Sequence, residues 1–248
     1  MPYDLYERHA VVSRLLRKCV GEGREDIVTA GVSVATHILD VGGRAELLER
    51  FMSRRVISVN IDGSGDLIGS GCVLPFVDSS FAAVVSIDTL EHLPRESRLP
   101  FLRECLRVAR RCVVVAAPFG SEGHSECEKR LADLYLSLYG RPHTYLSEHI
   151  QYGLPNMAEL DQFACELESA NSRCLFAGDY VWQSRQFERA IAGRQSSNKW
   201  DLLTRLGNAY KTVTSLAIFH PVRLTDRPDA TANRFYLLFE KECPGGGS

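Results

Sequence analysis

Apolar positions fall into short runs separated by polar stretches. The clearest are His37–Val41, broken at Gly42-Gly43, then Val56–Asp62, Leu74–Phe81, Val84–Leu93 and Cys112–Phe119. Short apolar runs bounded by Gly, Asp and Asn, with helical spacing between them, predict buried parallel strands joined by crossovers. Ala45–Met52 has the helical spacing expected of the first crossover helix. Strand, Gly turn, helix, strand is half of a nucleotide-type binding sheet.

Around this stretch the pattern extends both ways. Residues 5–20 carry apolar positions at helical spacing, closed by Gly21-Glu22-Gly23. Leu99, Phe101, Leu102, Leu106 and Val108 form one helical stripe after Pro94. The wholly apolar run at 112–119 suits a central strand covered on both faces. Strand–helix alternation then stops between 120 and 171. There the spacing predicts helices over Ser125–Tyr139 and Met157–Ser169, the second with Asn156 as N-cap. An insertion at this point lies at the carboxyl edge of the sheet, where ligands bind, and reads as a lid or acceptor-binding element. A sixth strand at Arg173–Gly178, helices at Trp182–Ile191 and Trp200–Phe219, and a last strand at Asn233–Glu240 complete the pattern. The expected organisation is one domain over 1–243. It comprises an N-terminal helix (1–25), a core (33–119 and 172–242), a lid (120–171) and a flexible tail (244–248).

Composition narrows the classes. At 248 residues, 45% hydrophobic and 24% charged, the chain can bury a sizeable core. Lys plus Arg number 29 against 31 Asp plus Glu, a net charge of −2, so no basic groove for nucleic acid and no membrane-binding face is expected. No apolar run approaches the ~18 residues of a membrane span, and the N-terminus lacks a signal-peptide pattern, so a cytoplasmic protein is expected. The eight cysteines are scattered with no Cys-x-x-Cys pair, which argues against a zinc ribbon or redox motif. Cys105, Cys112 and Cys165, in apolar periodic segments, are expected to be buried thiols.

Three motifs occur in order. Ile38-Leu39-Asp40-Val41-Gly42 is followed by Leu74-Pro75-Phe76-x-Asp78-x-Ser80-Phe81 and by Leu90-Glu91-His92-Leu93. Together they resemble the class I S-adenosylmethionine (SAM)-dependent methyltransferases, in their small-molecule, type 11-like branch, over roughly residues 30–120. The resemblance implies an α/β fold with a Rossmann-like doubly wound seven-stranded sheet. That sheet would be mostly parallel, with an antiparallel last strand paired to the sixth and a helical insertion after strand 5. It also implies SAM as cofactor and methyl transfer to an oxygen or nitrogen of a small-molecule acceptor, a sugar or other hydroxylated metabolite among them. A catalytically inactive methyltransferase-like scaffold is the alternative. The glycine motif is degenerate: where the family has Gly-x-Gly-x-Gly, this chain reads Gly42-Gly43-Arg44-Ala45-Glu46. The ribose-binding acid falls at Asn60, with Asp62 two positions on, and the adenine-reading acid at Ser70.

The resemblance therefore points to Asp40, Gly42, Gly43, Arg44, Asn60, Asp62, Ser70 and Asp88 as cofactor-binding positions. Asp40 either anchors the turn or the methionine amino group, or caps the following helix. Arg44 either grips the methionine carboxylate or is a solvated charge. Asp88 either faces the crevice or caps the Thr89 turn. Tyr3 and Tyr6 either reach the pocket or pack. His92, His143 and His149 are the candidate bases for an acceptor proton, with a structural role as the competing reading for each. His124, His143, Glu148 and His149 match no common zinc spacing, so no metal is expected. A dinucleotide-binding dehydrogenase is rejected, because only Gly42-Gly43 stands where Gly-x-Gly-x-x-Gly would be needed.

Overall fold

In the computed structural model, which describes residues 3–21, 28–29, 32–33, 37–167, 171–195, 206 and 222–241, the apolar runs build one seven-stranded sheet. Its strands are β1 (Ile38–Val41), β2 (Val56–Asn60), β3 (Leu67–Ile68), β4 (Phe81–Ile87), β5 (Ala109–Pro118), β6 (Asn171–Ala177) and β7 (Arg234–Glu240). The spatial order is β3-β2-β1-β4-β5-β7-β6. Strands β1 to β5 pair in parallel, with Ile38 opposite both Val56 and Ala83, and Val84 opposite Val113. β7 runs antiparallel to both neighbours, Val114 opposite Leu238 and Cys174 opposite Leu237. A separate two-stranded hairpin pairs Val28–Thr29 with Val32–Ser33. The doubly wound sheet and the antiparallel last strand agree with expectation.

Side chains alternate across a strand, so each face collects its own core. One face gathers Leu39, Val41, Val84, Val113 and Val115 with Phe101 and Leu102 of α2 (Arg95–Val108), and with Phe163 from the insertion. On the other face Ile38, Val85, Val114 and Ala116 meet Val12 and Leu16 of α1 (Tyr3–Val20). Burying a side chain such as Leu16 or Phe101 contributes about 1.5–3 kcal/mol. All of β4 is buried, as a strand covered on both faces requires. α1 ends where Gly21 takes φ +75° and its N–H donates to Arg17 O.

Between β5 and β6 lie α3 (Glu122–Tyr139), α4 (Thr144–Tyr152) and α5 (Met157–Glu166); α6 (Tyr180–Gln195) follows β6. The Asn156 side chain caps α5, accepting from Glu159 N–H at 3.1 Å as predicted. The structure adds α4 where only a connecting segment was read. Fully buried Arg98 of α2 holds the insertion down. It pairs with Glu159 at 2.7 Å, donates to Leu93 O at 3.1 Å and donates to Gly153 O beyond the end of α4.

Four expectations are corrected. No α-helix forms over Ala45–Met52: residues 45–48 make a turn and Glu49–Phe51 a single 3-10 turn. Glu46 sits at φ +63°, which breaks a right-handed helix, and Ala45 N–H donates to Ser64 O rather than along a helix. Leu48 is nevertheless buried, so the apolar spacing serves packing of a turn. Residues 74–80 do not form a strand: only Leu74 is buried, Pro75 cannot donate to a ladder and Ser79 has φ +56°. The third strand is instead Leu67–Ile68, exposed at the sheet edge. The second strand stops at Asn60, two residues short of Asp62. Cys105 and Cys112 are buried free thiols, but Cys165 is exposed on the outer side of α5, whose inner side carries Leu160 and Phe163. The expected helix at Trp200–Phe219 and the tail lie outside the described residues, save Leu206. Among the described residues no helix is long and apolar enough to cross a membrane.

Candidate active site

The carboxyl ends of β1, β2 and β4 converge on the Gly42-Gly43 turn. Gly42 takes φ +84°, and a Cβ there would lie 2.0 Å from Thr89 Oγ1. A Cβ on Gly43 would lie 2.0 Å from Asp40 Oδ2. Both positions therefore require glycine, one for its backbone angle and both for space. Gly42 N–H donates to Val59 O at 2.7 Å, and Ser86 Oγ donates to Val41 O at 2.9 Å, fixing the turn to the sheet. Asp40 is 2% exposed, and its Oδ1 has no hydrogen-bond partner among the described residues. Burial raises its pKa from 3.8 to about 7. An orphaned carboxylate oxygen beneath a glycine turn fits a cationic amino group arriving from outside. This inner half of the cradle suits SAM.

The outer half is occupied by its own contacts. Asn60 Nδ2 donates to Gly42 O at 3.0 Å and Ser64 Oγ at 3.1 Å, with Gly43 O at 3.3 Å. Asp62 is exposed and accepts from Ser64 N–H at 2.8 Å, and the Ser64 hydroxyl together with this N–H lowers its pKa. Ser70 is exposed and accepts from Cys72 N–H at 3.3 Å. Arg44 and Glu46 are exposed. Asn60, Asp62 and Ser70 thus organise the loops of residues 60–72 around themselves.

Beyond β4 the character changes. Asp88, at φ +53° just after the strand, pairs with both Arg8 of α1 and Arg234 of β7. Burial pushes its carboxyl up, but the Arg234 and Arg8 guanidiniums more than offset this and the net shift is down. A small cavity lined by Arg8, Gly178, Trp182, Asn233 and Arg234 lies alongside. Tyr6 packs on Phe51, ring centroids 5.6 Å apart, and the side chain of α1 that reaches Asp88 is Arg8. Tyr3's side chain lies outside the described residues.

Next to Asp88, Leu90–His92 forms a 3-10 turn that packs against α4. It brings Glu91 (1% exposed) and His92 beside His149, with the His92 and His149 ring centroids 4.9 Å apart. His149 Nδ1 lies 2.9 Å from Glu128 Oε1 on α3. His92 Nδ1 lies 2.7 Å from Glu148 Oε2, an ion-pair contact rather than an aligned hydrogen bond. Burial raises the Glu91 pKa to about 8, reinforced by the Asp88 charge. Burial lowers the pKa of His92, and His149 lowers it further. For His149, burial acts downward but is outweighed by the Glu128 hydrogen bond and charge, so its pKa rises. His143 stands at the N-cap of α4, accepting from Leu146 N–H at 3.4 Å and packed edge-on against Tyr135 and Phe187. His124 is buried, bonded to Phe119 O at 2.8 Å and stacked on Tyr180.

Of the residues singled out from sequence, the structure gathers Asp40, Gly42, Gly43 and Asn60 at one turn, and His92 with His149 at another. Four neighbours were missed: Glu91, Glu128, Arg8 and Arg234. Only Glu91 carried a signal, as the acid inside Leu90-Glu91-His92-Leu93.

Residues 40–115 match the family model described as a methyltransferase domain. The chain has the class I methyltransferase fold. The match spans β1 to β5, the strands that carry both turns. No curated protein matches by sequence. Among solved structures, a Galdieria sulphuraria protein assigned as a sarcosine dimethylglycine methyltransferase superposes with a TM-score of 0.51 at 15% identity, over 95% of this chain and 86% of that one. The Haemonchus contortus phosphoethanolamine N-methyltransferase 2, in complex with phosphomonomethylethanolamine and S-adenosylhomocysteine, gives 0.50 at 14% identity, over 94% of this chain and 52% of that one. The plantazolicin methyltransferase BpumL in complex with SAH gives 0.50 at 10% identity, over 97% and 85%. At these identities the likeness is one of fold. Within the methyltransferase fold, this chain's first turn holds Gly42 and Gly43 but lacks the helix expected after them.

Proposed function

We propose that the chain is a SAM-dependent methyltransferase acting on an oxygen or nitrogen of a small molecule, with hydroxylated metabolites such as sugars the first class to try. One observation carries this reading: the Asp40 carboxylate oxygen, without a hydrogen-bond partner among the described residues, is buried beneath a glycine turn at the carboxyl end of a central strand. SAM is supported as cofactor by the match to a methyltransferase domain and by methyltransferases of this fold crystallised with SAH. SAM brings the methyl group already activated on a sulfonium. Gly42 and Gly43 let the backbone approach the ligand, and Asp40 takes its amino group. The helices α3–α5 cover the crevice, exclude water and orient the acceptor. Glu91, His92 and His149 face the place where an acceptor proton must be handled.

The inactive-scaffold reading has its own observation. The Asn60 amide spends its donors on Gly42, Gly43 and Ser64, and no helix follows the glycine turn. Calorimetric titration with SAM and S-adenosylhomocysteine separates the two readings. Micromolar binding by the unmodified protein, abolished by Gly42→Val in a variant that still melts cooperatively, is the expected result. No saturable binding at millimolar ligand overturns the enzyme, whereas methyl transfer to any acceptor sinks the scaffold.

A further inference from the structure

We propose that Glu91, His92 and His149 form a binding site for a divalent transition-metal cation. One ligand atom from each of the three residues lies within 4.8 Å of the other two. Three atoms within 4.8 Å of one another leave a position no more than about 2.8 Å from all of them, so closing to the ~2.1 Å of a metal–imidazole bond needs each ligand to move by less than an ångström. Two imidazoles and one carboxylate are the donor set that suits Zn²⁺, Fe²⁺, Co²⁺ or Mn²⁺ rather than Ca²⁺ or Mg²⁺.

The second, independent observation is the state of the donor atoms. Glu91 Oε2 and His149 Nε2 are buried with no hydrogen-bond partner among the described residues. Orphaned buried polar atoms are rare in native proteins, and a bound ion is one of the occupants that satisfies them. Each ring has a carboxylate beside its other nitrogen: Glu128 holds His149 Nδ1 at 2.9 Å, and Glu148 lies in ion-pair contact 2.7 Å from His92 Nδ1. A carboxylate on Nδ1 fixes the ring so that Nε2 is presented, the arrangement found behind metal-bound histidines. His92 Nε2 indeed turns towards Glu91, 3.9 Å from its Oε1. The neighbouring positive charges are accounted for, since Arg8 and Arg234 are both paired with Asp88. An ion reaches the site from the His92–Glu148 side, where the two side chains are 25% and 36% exposed.

Such an ion would polarise an acceptor hydroxyl and promote loss of its proton to solvent. That role rests on the methyltransferase reading; the existence of the site does not. The test uses Co²⁺ alone, without SAM, on untagged protein stripped of metal. The expected result is one Co²⁺ per chain with visible d–d bands and an upward shift of Tm. Glu91→Gln and His149→Gln should each weaken binding about a hundredfold or more. Glu128→Gln should weaken it about 10–100-fold by releasing the His149 ring. His37→Gln, an exposed imidazole on the opposite edge of the sheet, should leave binding unchanged. If His149→Gln fails to fold, Glu91→Gln and Glu128→Gln carry the test. No binding by the unmodified protein, or undiminished binding in Glu91→Gln and Glu128→Gln, overturns the site. SAM titration run in parallel reports separately on the glycine turn.

Discussion

The two halves of the sheet's carboxyl edge are built on different principles. In the loops after β2, polar groups are satisfied by near neighbours in sequence: Asp62 by Ser64, Ser70 by Cys72, Asp66 by Ser58. Around β4 and the insertion, charges meet across the whole chain: Asp88 with Arg8 and Arg234, Arg98 with Glu159, Glu128 with His149. The first half is mostly exposed and local. The second is buried and long-range, and the third motif, Leu90-Glu91-His92-Leu93, sits in it. A motif read along the chain therefore shows where a turn lies more readily than which distant charges that turn will meet.

The largest effect should come from breaking the long-range half. Arg98→Met leaves Glu159 without its buried partner and frees the carbonyls at the end of α4. A loss of about 3–5 kcal/mol in urea unfolding is expected, typical of a broken buried pair. A loss below ~1 kcal/mol would place this half among ordinary surface ion pairs.

Asp40 sharpens the contrast, because it is the buried ionisable group of the local half. Its pKa is raised on folding, so the native state keeps a proton that the unfolded chain has already lost. Stability should therefore fall as pH rises from about 4 to about 7, by up to about 4 kcal/mol at ~1.4 kcal/mol per unit. Asp40→Asn should flatten that profile and melt higher than the unmodified protein at pH 8. If the two pH profiles stay parallel, Asp40 is not the group responsible. SAM affinity should rise with pH through about 7 as the carboxylate ionises, and should lose that dependence in Asp40→Asn.

The smallest effect concerns Glu46, held at φ +63° where the resembled family has glycine. Glu46→Gly relieves a left-handed residue and should stabilise by about 1 kcal/mol or slightly less. A destabilised variant would mean that the Glu46 side chain contributes contacts worth more than its strain.

How far the sequence spoke follows the same division. β1, β2, β4, β5, β6 and β7 were legible because buried strands write apolar runs. β3 was not, since two exposed residues, Leu67 and Ile68, leave no pattern. Ala45–Met52 carried a helical spacing that one positive-φ residue overrode. α4 was hidden by Arg141-Pro142 and by the polar look of Thr144–Tyr152. Arg8 is one polar position in the helical spacing of α1, and Arg234 stands at the start of the last strand. Nothing in their immediate sequence says that Asp88 would lie between them.

The placement of β7 bears on how this chain is made. Among the described residues β6 pairs along its length with β7, with one isolated bridge from Phe176 to Thr225, and β5 has β7 on its outer side. During synthesis both remain open ladders until residues 234–240 leave the ribosome, so more than a hundred residues of nascent chain wait beside the hydrophobic edge of β5. Arrest or cleavage shortly before residue 234 would release a product with two unpaired strand edges, prone to self-association through them. Late completion of the sheet makes this chain a candidate client for chaperones that shield strand edges.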